Sequence, residues 1–170
     1  RLQIAGADVS VVARSGYEEI RENGIKIKSK LGDYHFKPSS IVNNIKDYVG
    51  EPDYLLITTK VFPEVNLTDV IKEKVGPDTS IVLIQNGIDI EETYKRAFPL
   101  NEIISGLAFI CVSRTDPVNV HHQDYGRLAI GLYPKGVSEK TEFLNGLFNK
   151  SGIECEIKDN IITGRWQKLV

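Results

Sequence analysis

The sequence predicts an α/β fold built on a doubly wound, mostly parallel sheet. Apolar segments that read as strands alternate with segments of helical pattern along the 170-residue chain. Two strand segments, YLLITT at residues 54–59 and SIVLIQ at residues 80–85, are apolar until their last residues, as expected of strands buried on both faces. Such alternation is typical of parallel sheets with helices on both sides.

Composition is that of an ordinary globular protein. Hydrophobic residues make up 41% of the chain and charged residues 26%, which argues against disorder. The net charge of -2 gives no electrostatic reason to expect nucleic acid or a membrane as a partner. No apolar run approaches the roughly 20 residues of a membrane span, and no secretory signal opens the chain. Because Cys111 and Cys155 lack metal or redox spacing, we expect two buried thiols and a reducing, cytoplasmic location.

The elements follow from hydrophobic periodicity and from turn and cap residues. Strands are predicted at residues 8–13, 25–29, 34–37, 54–59, 80–85, 103–113, 118–122, 127–131 and 154–158. Helices are predicted at residues 17–23, 63–74, 88–98 and 138–150, and from residue 159 onward. Pro63 suits a helix start, and Ser15, Ser138 and either Asp159 or Asn160 are candidate N-caps. The first residues read as the end of a helix that Gly6 terminates.

Three polar side chains follow the carboxyl ends of predicted strands. Arg14 ends the first strand, Lys60 ends the strand at residues 54–59, and Asn86 follows the strand at residues 80–85. In doubly wound sheets, ligands bind at this edge. Strands often exit into polar loops, so each residue alone carries little weight, but the three together favour a binding site.

Arg14 indicates the cofactor. In dinucleotide-binding folds an acid after the second strand binds the ribose of NAD, whereas an arginine accepts the additional phosphate of NADP. No acid follows this strand until Glu18. A guanidinium can hold a phosphate through two parallel bonds, and Ser15 can add a hydroxyl. We therefore expect NADPH as the cofactor.

The last predicted helix carries Lys168. Spacings of three and four residues define an apolar face that we expect to be packed, formed by Ile162, Trp166, Leu169 and Val170. Ile161, Gly164 and Lys168 fall on another face, so the lysine lies beside the packed face. Gly164, one turn earlier, leaves space for a ligand or for close approach of another backbone.

Several segments resemble the ketopantoate reductase family. In order they are VVARSGYEEIRENGI, LLITTKVF, IVLIQNGI, GLAFICVSRT, VHHQDYGRLAIG and the terminal RWQKLV. A strand-end lysine followed by QNG, together with the terminal W-x-K-L, is the most specific part of this match. The resemblance implies a Rossmann-type fold and NADPH-dependent reduction of 2-dehydropantoate (ketopantoate) to pantoate, in pantothenate and coenzyme A biosynthesis.

The resemblance also implies residue roles. Cofactor-binding positions correspond to Arg14, Lys60, Asn86 and Val112; Asn86 also corresponds to a substrate contact, and Lys168 to a catalytic lysine that acts as general acid. The implied partner is a small 2-oxo acid, and a homodimer is compatible with the resemblance. This chemistry needs no metal, and the neighbouring histidines at 121 and 122 point to opposite faces of a strand, so they cannot converge on one ion.

The resemblance sets the expected domain organisation. Residues 1–158 correspond to an NADP-binding domain, and residues 159–170 to the start of a helix leading into a helical substrate domain. Family members begin with a strand and a glycine-rich turn, which we expect ahead of Arg1, and we expect this piece alone to be inactive. Two alternatives stay open: a related NAD(P)-dependent 2-oxo acid or hydroxy acid dehydrogenase, and a non-catalytic nucleotide-binding protein.

Overall fold

The structure, a computed structural model, describes residues 1–62 and 64–169. The described residues form nine strands: β1 (Ser10–Val12), β2 (Ile25–Ser29), β3 (Tyr34–Phe36), β4 (Ser40–Val42), β5 (Tyr54–Ile57), β6 (Ser80–Leu83), β7 (Ile103–Arg114), β8 (Asn119–Leu132) and β9 (Cys155–Ile157). They also form five α-helices: α1 (Tyr17–Asn23), α2 (Leu67–Ile71), α3 (Ile90–Ala97), α4 (Glu139–Lys150) and α5 (Ile161–Leu169). Short 3-10 helices cover Leu2–Ala5, Ile45–Asp47 and Lys72–Lys74.

Seven strands form one mixed sheet in the order β3-β2-β8-β7-β6-β5, with β9 beside β8. Pairing is antiparallel between β2 and β3 and between β7 and β8, and parallel at the other contacts. Strands β1 and β4 form a separate parallel pair. Among the described residues, β1 and β5 each keep one unpaired edge. The predicted α/β class, Rossmann-like with mostly parallel pairing, is confirmed.

Strand β6 shows that the sheet is covered on both faces. All four of its residues are fully buried. Ile81 and Leu83 belong to one apolar cluster with Tyr94 of α3. Val82 lies in the opposite cluster, with Leu144 of α4. The apolar run that predicted a strand buried on both faces is therefore confirmed.

Polar caps begin two of the helices. The hydroxyl of Ser138 accepts a hydrogen bond from the backbone N–H of Thr141 at 3.1 Å, at the start of α4. Asn160 Oδ1 accepts one from the N–H of Thr163 at 3.0 Å, at the start of α5. These side chains satisfy N–H groups that the first helical turn leaves free. The Ser138 cap is confirmed, and of the two candidates before α5 the structure selects Asn160 over Asp159. The predicted Ser15 cap is wrong, because Gly16 occupies the N-cap position of α1 and no side chain in the described part of the chain caps this helix.

Strand β8 corrects one prediction. The sequence predicts separate strands at residues 118–122 and 127–131, but the structure has one continuous strand. Tyr125 (φ 60°) and Gly126 (φ 123°) lie in the left-handed region within it, and the pairing register with β7 shifts nearby. The polar, glycine-containing stretch therefore forms a bulge inside the strand, where the sequence suggested a loop.

Two helices are shorter than predicted. The α-helical part of the predicted segment 63–74 covers only Leu67–Ile71 and continues as the 3-10 turn Lys72–Lys74; Pro63 lies outside the described residues. The helix predicted at residues 88–98 begins at Ile90, because Asp89 adopts a left-handed conformation with φ of 56°.

Among the described residues, none of the helices is long and apolar enough to cross a lipid bilayer.

Candidate active site

The three predicted strand-end residues lie after the carboxyl ends of β1, β5 and β6. Arg14, Lys60 and Asn86 are all exposed. Within the described residues, Arg14 and Lys60 make no hydrogen bond or ion pair. The segments that carry Lys60 and Asn86 are joined, because the side-chain amide of Gln85 donates to the carbonyl of Thr59 at 2.7 Å. Two of the three residues are therefore held on adjacent loops at one edge of the sheet.

Lys168 of α5 contacts Asn86, although 82 positions separate them in the sequence. Its ammonium donates to Asn86 Oδ1 at 2.9 Å and to the backbone carbonyl of Ala108 in β7 at 2.8 Å. The same ammonium lies 5.1 Å from the centre of the Phe109 ring. The structure thus brings together a cationic donor and an amide that the sequence singled out independently.

The environment of Lys168 lowers the pKa of its ammonium below the ordinary value of 10.5. Partial burial is the larger cause, because it disfavours the charged form, and the positive charge of Arg165 adds to it. An ammonium with a lowered pKa gives up a proton more readily than an ordinary surface lysine. The site can therefore supply both a positive charge and a proton.

Helix α5 does not present the face that the sequence suggested. Its buried residues are Ile161, Gly164 and Arg165. Trp166 and Leu169, predicted to be packed, are 53% and 63% exposed, and Val170 lies outside the described residues. A Cβ at position 164 would stand 3.2 Å from Leu107 Cδ1, so the glycine allows α5 to approach β7 closely. The neighbour of Gly164 is thus a side chain of β7, not the backbone or ligand that the sequence suggested, and the expected packed face is wrong.

Arg165 is the main site residue that sequence reasoning missed. It is 3% exposed and forms a buried ion pair with Glu91 of α3. Its Nε also donates to Ser105 Oγ at 2.9 Å, and Ser105 donates to Glu91 at 2.6 Å. Charged residues are assigned to the surface by default, which is why the helical pattern excluded Arg165. Its spacing of four from the apolar Ile161 was the available signal that it faces inward.

An open depression of about 260 Å³ lies beside the ammonium of Lys168. It is lined by Asn86, Gly87, Leu107, Arg165, Lys168 and Leu169. Val112 is not among these residues: it pairs with His122 on the β7–β8 hairpin and is 47% exposed. At about 3.3 Å per residue, Val112 lies roughly 13 Å along the strand from Ala108. The structure therefore does not place Val112 beside Lys168 and the depression.

The histidines and cysteines lie away from this depression. His122 is buried, with Nδ1 2.9 Å from Ser29 Oγ, whereas His121 is exposed, so the two neighbours do face opposite ways. No group of three or more potential metal ligands occurs within the ranges that the structure describes. Cys155 is buried as expected, but Cys111 is exposed, because it lies on the solvent-facing part of β7.

Comparison with known proteins shows which family the chain resembles. The family model described as "Ketopantoate reductase PanE/ApbA" matches residues 1–135. The 2-dehydropantoate 2-reductase of Nostoc sp. is 29% identical over 100% of this chain and 54% of its own length. The enzyme of the same name from Pyrococcus horikoshii is 30% identical, over 97% of this chain and 53% of its own. The chain thus spans about half the length of the curated relatives that it matches.

Solved structures show the same similarity. The 2-dehydropantoate 2-reductase of Methylococcus capsulatus superposes with a TM-score of 0.93 and 48% identity, over 98% of this chain and 54% of that one. The Geobacter metallireducens enzyme gives a TM-score of 0.90 and 32% identity, over 99% and 56%. A D-mandelate dehydrogenase solved with NADH shares the fold at 19% identity, with a TM-score of 0.80 over 98% and 54%. With a family model that matches most of its residues, the chain belongs to the ketopantoate reductase family.

Proposed function

We propose that the full-length protein is an NADPH-dependent 2-dehydropantoate 2-reductase in which Lys168 is the general acid. The observation that carries this proposal is the contact of Lys168 with Asn86 beside an open depression at the carboxyl edge of the sheet. The names of the relatives, 2-dehydropantoate 2-reductases, support the substrate. The family resemblance supports a role in pantothenate biosynthesis.

The residues after β1 fit the phosphate of NADP. Arg14 and Ser15 are exposed, and within the described residues the guanidinium of Arg14 has no protein acceptor. The nearest following acid, Glu18, forms an exposed ion pair with Arg21. A guanidinium and a hydroxyl side by side suit a phosphate monoester. Arg14 and Ser15 would bind the phosphate, and Lys60 and Asn86 would lie along the rest of the cofactor.

The proposed chemistry is reduction of a ketone to an alcohol. When bound, NADPH supplies a hydride to the keto carbon, and the former carbonyl oxygen takes up one proton. Lys168 stabilises the negative charge that develops on this oxygen and donates the proton. Asn86 holds the ammonium through its Oδ1 and leaves its amide N–H groups free to orient the substrate. Holding the reactants in this arrangement supplies much of the rate increase.

Several finer expectations remain proposals. We propose that residues 1–158 form the cofactor-binding domain and that residues 159–170 begin a linking helix. The first part of this helix, α5, packs against β7 and β8 of the sheet. Val112 stays a candidate through its backbone. A homodimer and a cytoplasmic location stay predictions.

The test is turnover by the full-length protein. Purified protein is mixed with NADPH and ketopantoate, and the loss of absorbance of the reduced nicotinamide is followed. Reduction of ketopantoate with NADPH at a kcat/KM well above that with NADH supports the proposal. Activity confined to another 2-oxo acid would overturn the substrate, and preference for NADH would overturn the cofactor. Nucleotide binding without any reduction would leave the non-catalytic alternative.

A further inference from the structure

A buried charged cluster lies directly behind the candidate site. It consists of Glu91, Ser105 and Arg165, which are 1%, 0% and 3% exposed. We propose that Arg165 is a positioning residue: it fixes Asn86 and Lys168 relative to each other so that both act on the same substrate carbonyl. This inference rests on the proposed reductase function, because it concerns the same site.

Arg165 holds the backbone on both sides of Asn86. One terminal nitrogen of its guanidinium donates to the carbonyl oxygen of Gln85 at 2.8 Å and to that of Gly87 at 3.1 Å. These carbonyls belong to the residues immediately before and after Asn86. The left-handed glycine at 87, with φ of 140°, gives the turn a conformation that other residues rarely adopt. The guanidinium therefore determines the direction in which the Asn86 side chain leaves the turn.

The same side chain anchors the helix that carries Lys168. Arg165 and Lys168 are three residues apart on α5, so they lie on neighbouring positions of one helical face. The ion pair with Glu91 and the bond to Ser105 tie this face to α3 and β7. With the helix held in this position, the Lys168 ammonium donates a hydrogen bond to Asn86 Oδ1 at 2.9 Å. One buried guanidinium thus holds both partners of the catalytic contact.

Only arginine can make these contacts together. Its planar group offers five N–H donors in a fixed geometry, whereas a lysine offers three donors from one point. Here the donors are directed at a carboxylate, a hydroxyl and backbone carbonyls on three sides. A lysine at position 165 would keep the charge but could not span them. The variant Arg165→Lys therefore separates the geometry of the group from its charge.

The cluster also acts on Lys168 electrostatically. Burial first, and then the charge of Arg165, lower the pKa of the Lys168 ammonium, and Arg165 is itself paired with the carboxylate of Glu91. Arg127 of β8 also packs on the Phe109 ring, 5.0 Å from its centre. Removing the charge of Glu91 should therefore lower the pKa of Lys168 further.

The first experiment compares two arginine-to-lysine variants of the full-length protein. Arg165→Lys is matched with Arg96→Lys, because Arg96 also pairs with a glutamate of α3 but is exposed. Misplacement of a catalytic group by about 1 Å can cost roughly 100-fold in rate, so we expect about that loss of kcat in Arg165→Lys with little change in the KM for NADPH. Arg96→Lys should match the wild type. Ser105→Ala, a milder change, should give a smaller loss in the same direction.

The second experiment measures the pKa of Lys168 without any turnover. The full-length protein is labelled with ¹³C-lysine and titrated by NMR, and the Lys168 signal is identified by its absence in Lys168→Arg. Glu91→Gln should lower this pKa, whereas Glu92→Gln on the next residue should leave it unchanged. Wild-type kcat in Arg165→Lys, or a Lys168 pKa that Glu91→Gln does not lower, would overturn the inference. Absence of reduction by the wild type would instead refute the proposed function, and the titration would still test the cluster.

Discussion

Replacement of Lys168 by alanine tests the proposed chemistry most directly. The change removes the ammonium that contacts Asn86 and Ala108 and leaves Arg14 and Ser15 untouched. If Lys168 is the general acid, kcat should fall sharply while NADPH binding is retained. Loss of a general acid costs about 10²- to 10⁴-fold in rate, which corresponds to roughly 3 to 5.5 kcal/mol of barrier.

The effect of this substitution on stability should be much smaller. The ammonium makes two hydrogen bonds, and bonds to charged groups contribute about 1.5–3 kcal/mol each when they are well sheltered. Lys168 is only partly buried, so water can replace these bonds and the expected loss is about 1 kcal/mol. The activity effect therefore exceeds the stability effect several-fold, and loss of folding cannot account for it.

The pH dependence of kcat gives a second, independent result. A general acid must be protonated, so kcat should fall as pH rises through the pKa of Lys168. Because burial and Arg165 lower that pKa, the alkaline limb should lie below 10.5, the ordinary lysine value. Lys168→Arg keeps a positive charge that does not titrate in this range, so its residual activity should lack the limb.

The assays are steady-state kinetics with NADPH and ketopantoate across pH, and NADPH binding by fluorescence. Unfolding of each variant by urea gives the free energy of unfolding. Wild-type kcat in a folded Lys168→Ala variant would refute the assignment of the general acid. An alkaline limb that persists unchanged in Lys168→Arg would show that another group titrates there.

Three further predictions concern separate parts of the molecule. Arg14→Ala should raise the KM for NADPH about 10- to 100-fold and leave that for NADH unchanged, because it removes one to two charged hydrogen bonds to a phosphate that NADH lacks; steady-state kinetics with both cofactors check this. The exposed thiol of Cys111 should react with a thiol reagent in the native protein, whereas Cys155 should react only after unfolding. Burial, with a smaller contribution from the charge of Glu156, raises the pKa of the Cys155 thiol to about 12. The hydrogen bond to Glu92, with burial, raises the pKa of Tyr133 to about 12, so a tyrosine should titrate there by ultraviolet absorbance and shift downward in Glu92→Gln.

Much of the fold could be predicted because local patterns decide it. The run SIVLIQ contains the whole of β6, whose apolar residues fill both faces of the sheet. The Ser138 and Asn160 caps could be identified because a short polar side chain satisfies helix N–H groups within three residues. Bounds were less accurate where the backbone takes unusual conformations. Asp89 and Tyr125 both have positive φ, which is uncommon for residues other than glycine and especially for one as bulky as tyrosine.

The site was predictable where a single strand end determines it. Asn86 and Lys60 follow buried strands, so the topology of the sheet alone brings their loops to one edge. Arg165 was not predictable in this way, because its partners come from three parts of the chain that are distant in sequence: the turn after β6, helix α3 and strand β7. Its partners lie 60 to 80 positions earlier in the chain. Sequence periodicity assigns an arginine to the surface. Only the fold shows that Glu91 and Ser105 lie where they can accept its hydrogen bonds.

An apolar residue at position 165 would pack well but would leave two backbone carbonyl groups without their hydrogen-bond donor. The carbonyl oxygens of Gln85 and Gly87 accept hydrogen bonds from the Arg165 guanidinium, and a buried polar group left unpaired costs about 1–3 kcal/mol. A buried arginine without a carboxylate partner would be costlier still, and Glu91 offsets that cost at the adjacent helix. The turn that presents Asn86 thus requires an inward-facing donor, and the donor in turn requires an acid on α3. For this reason we expect relatives to retain or exchange the buried arginine of α5 and the glutamate after the QNG turn together. Substitution of Glu91 alone should impair the site more than substitution of its exposed neighbour Glu92.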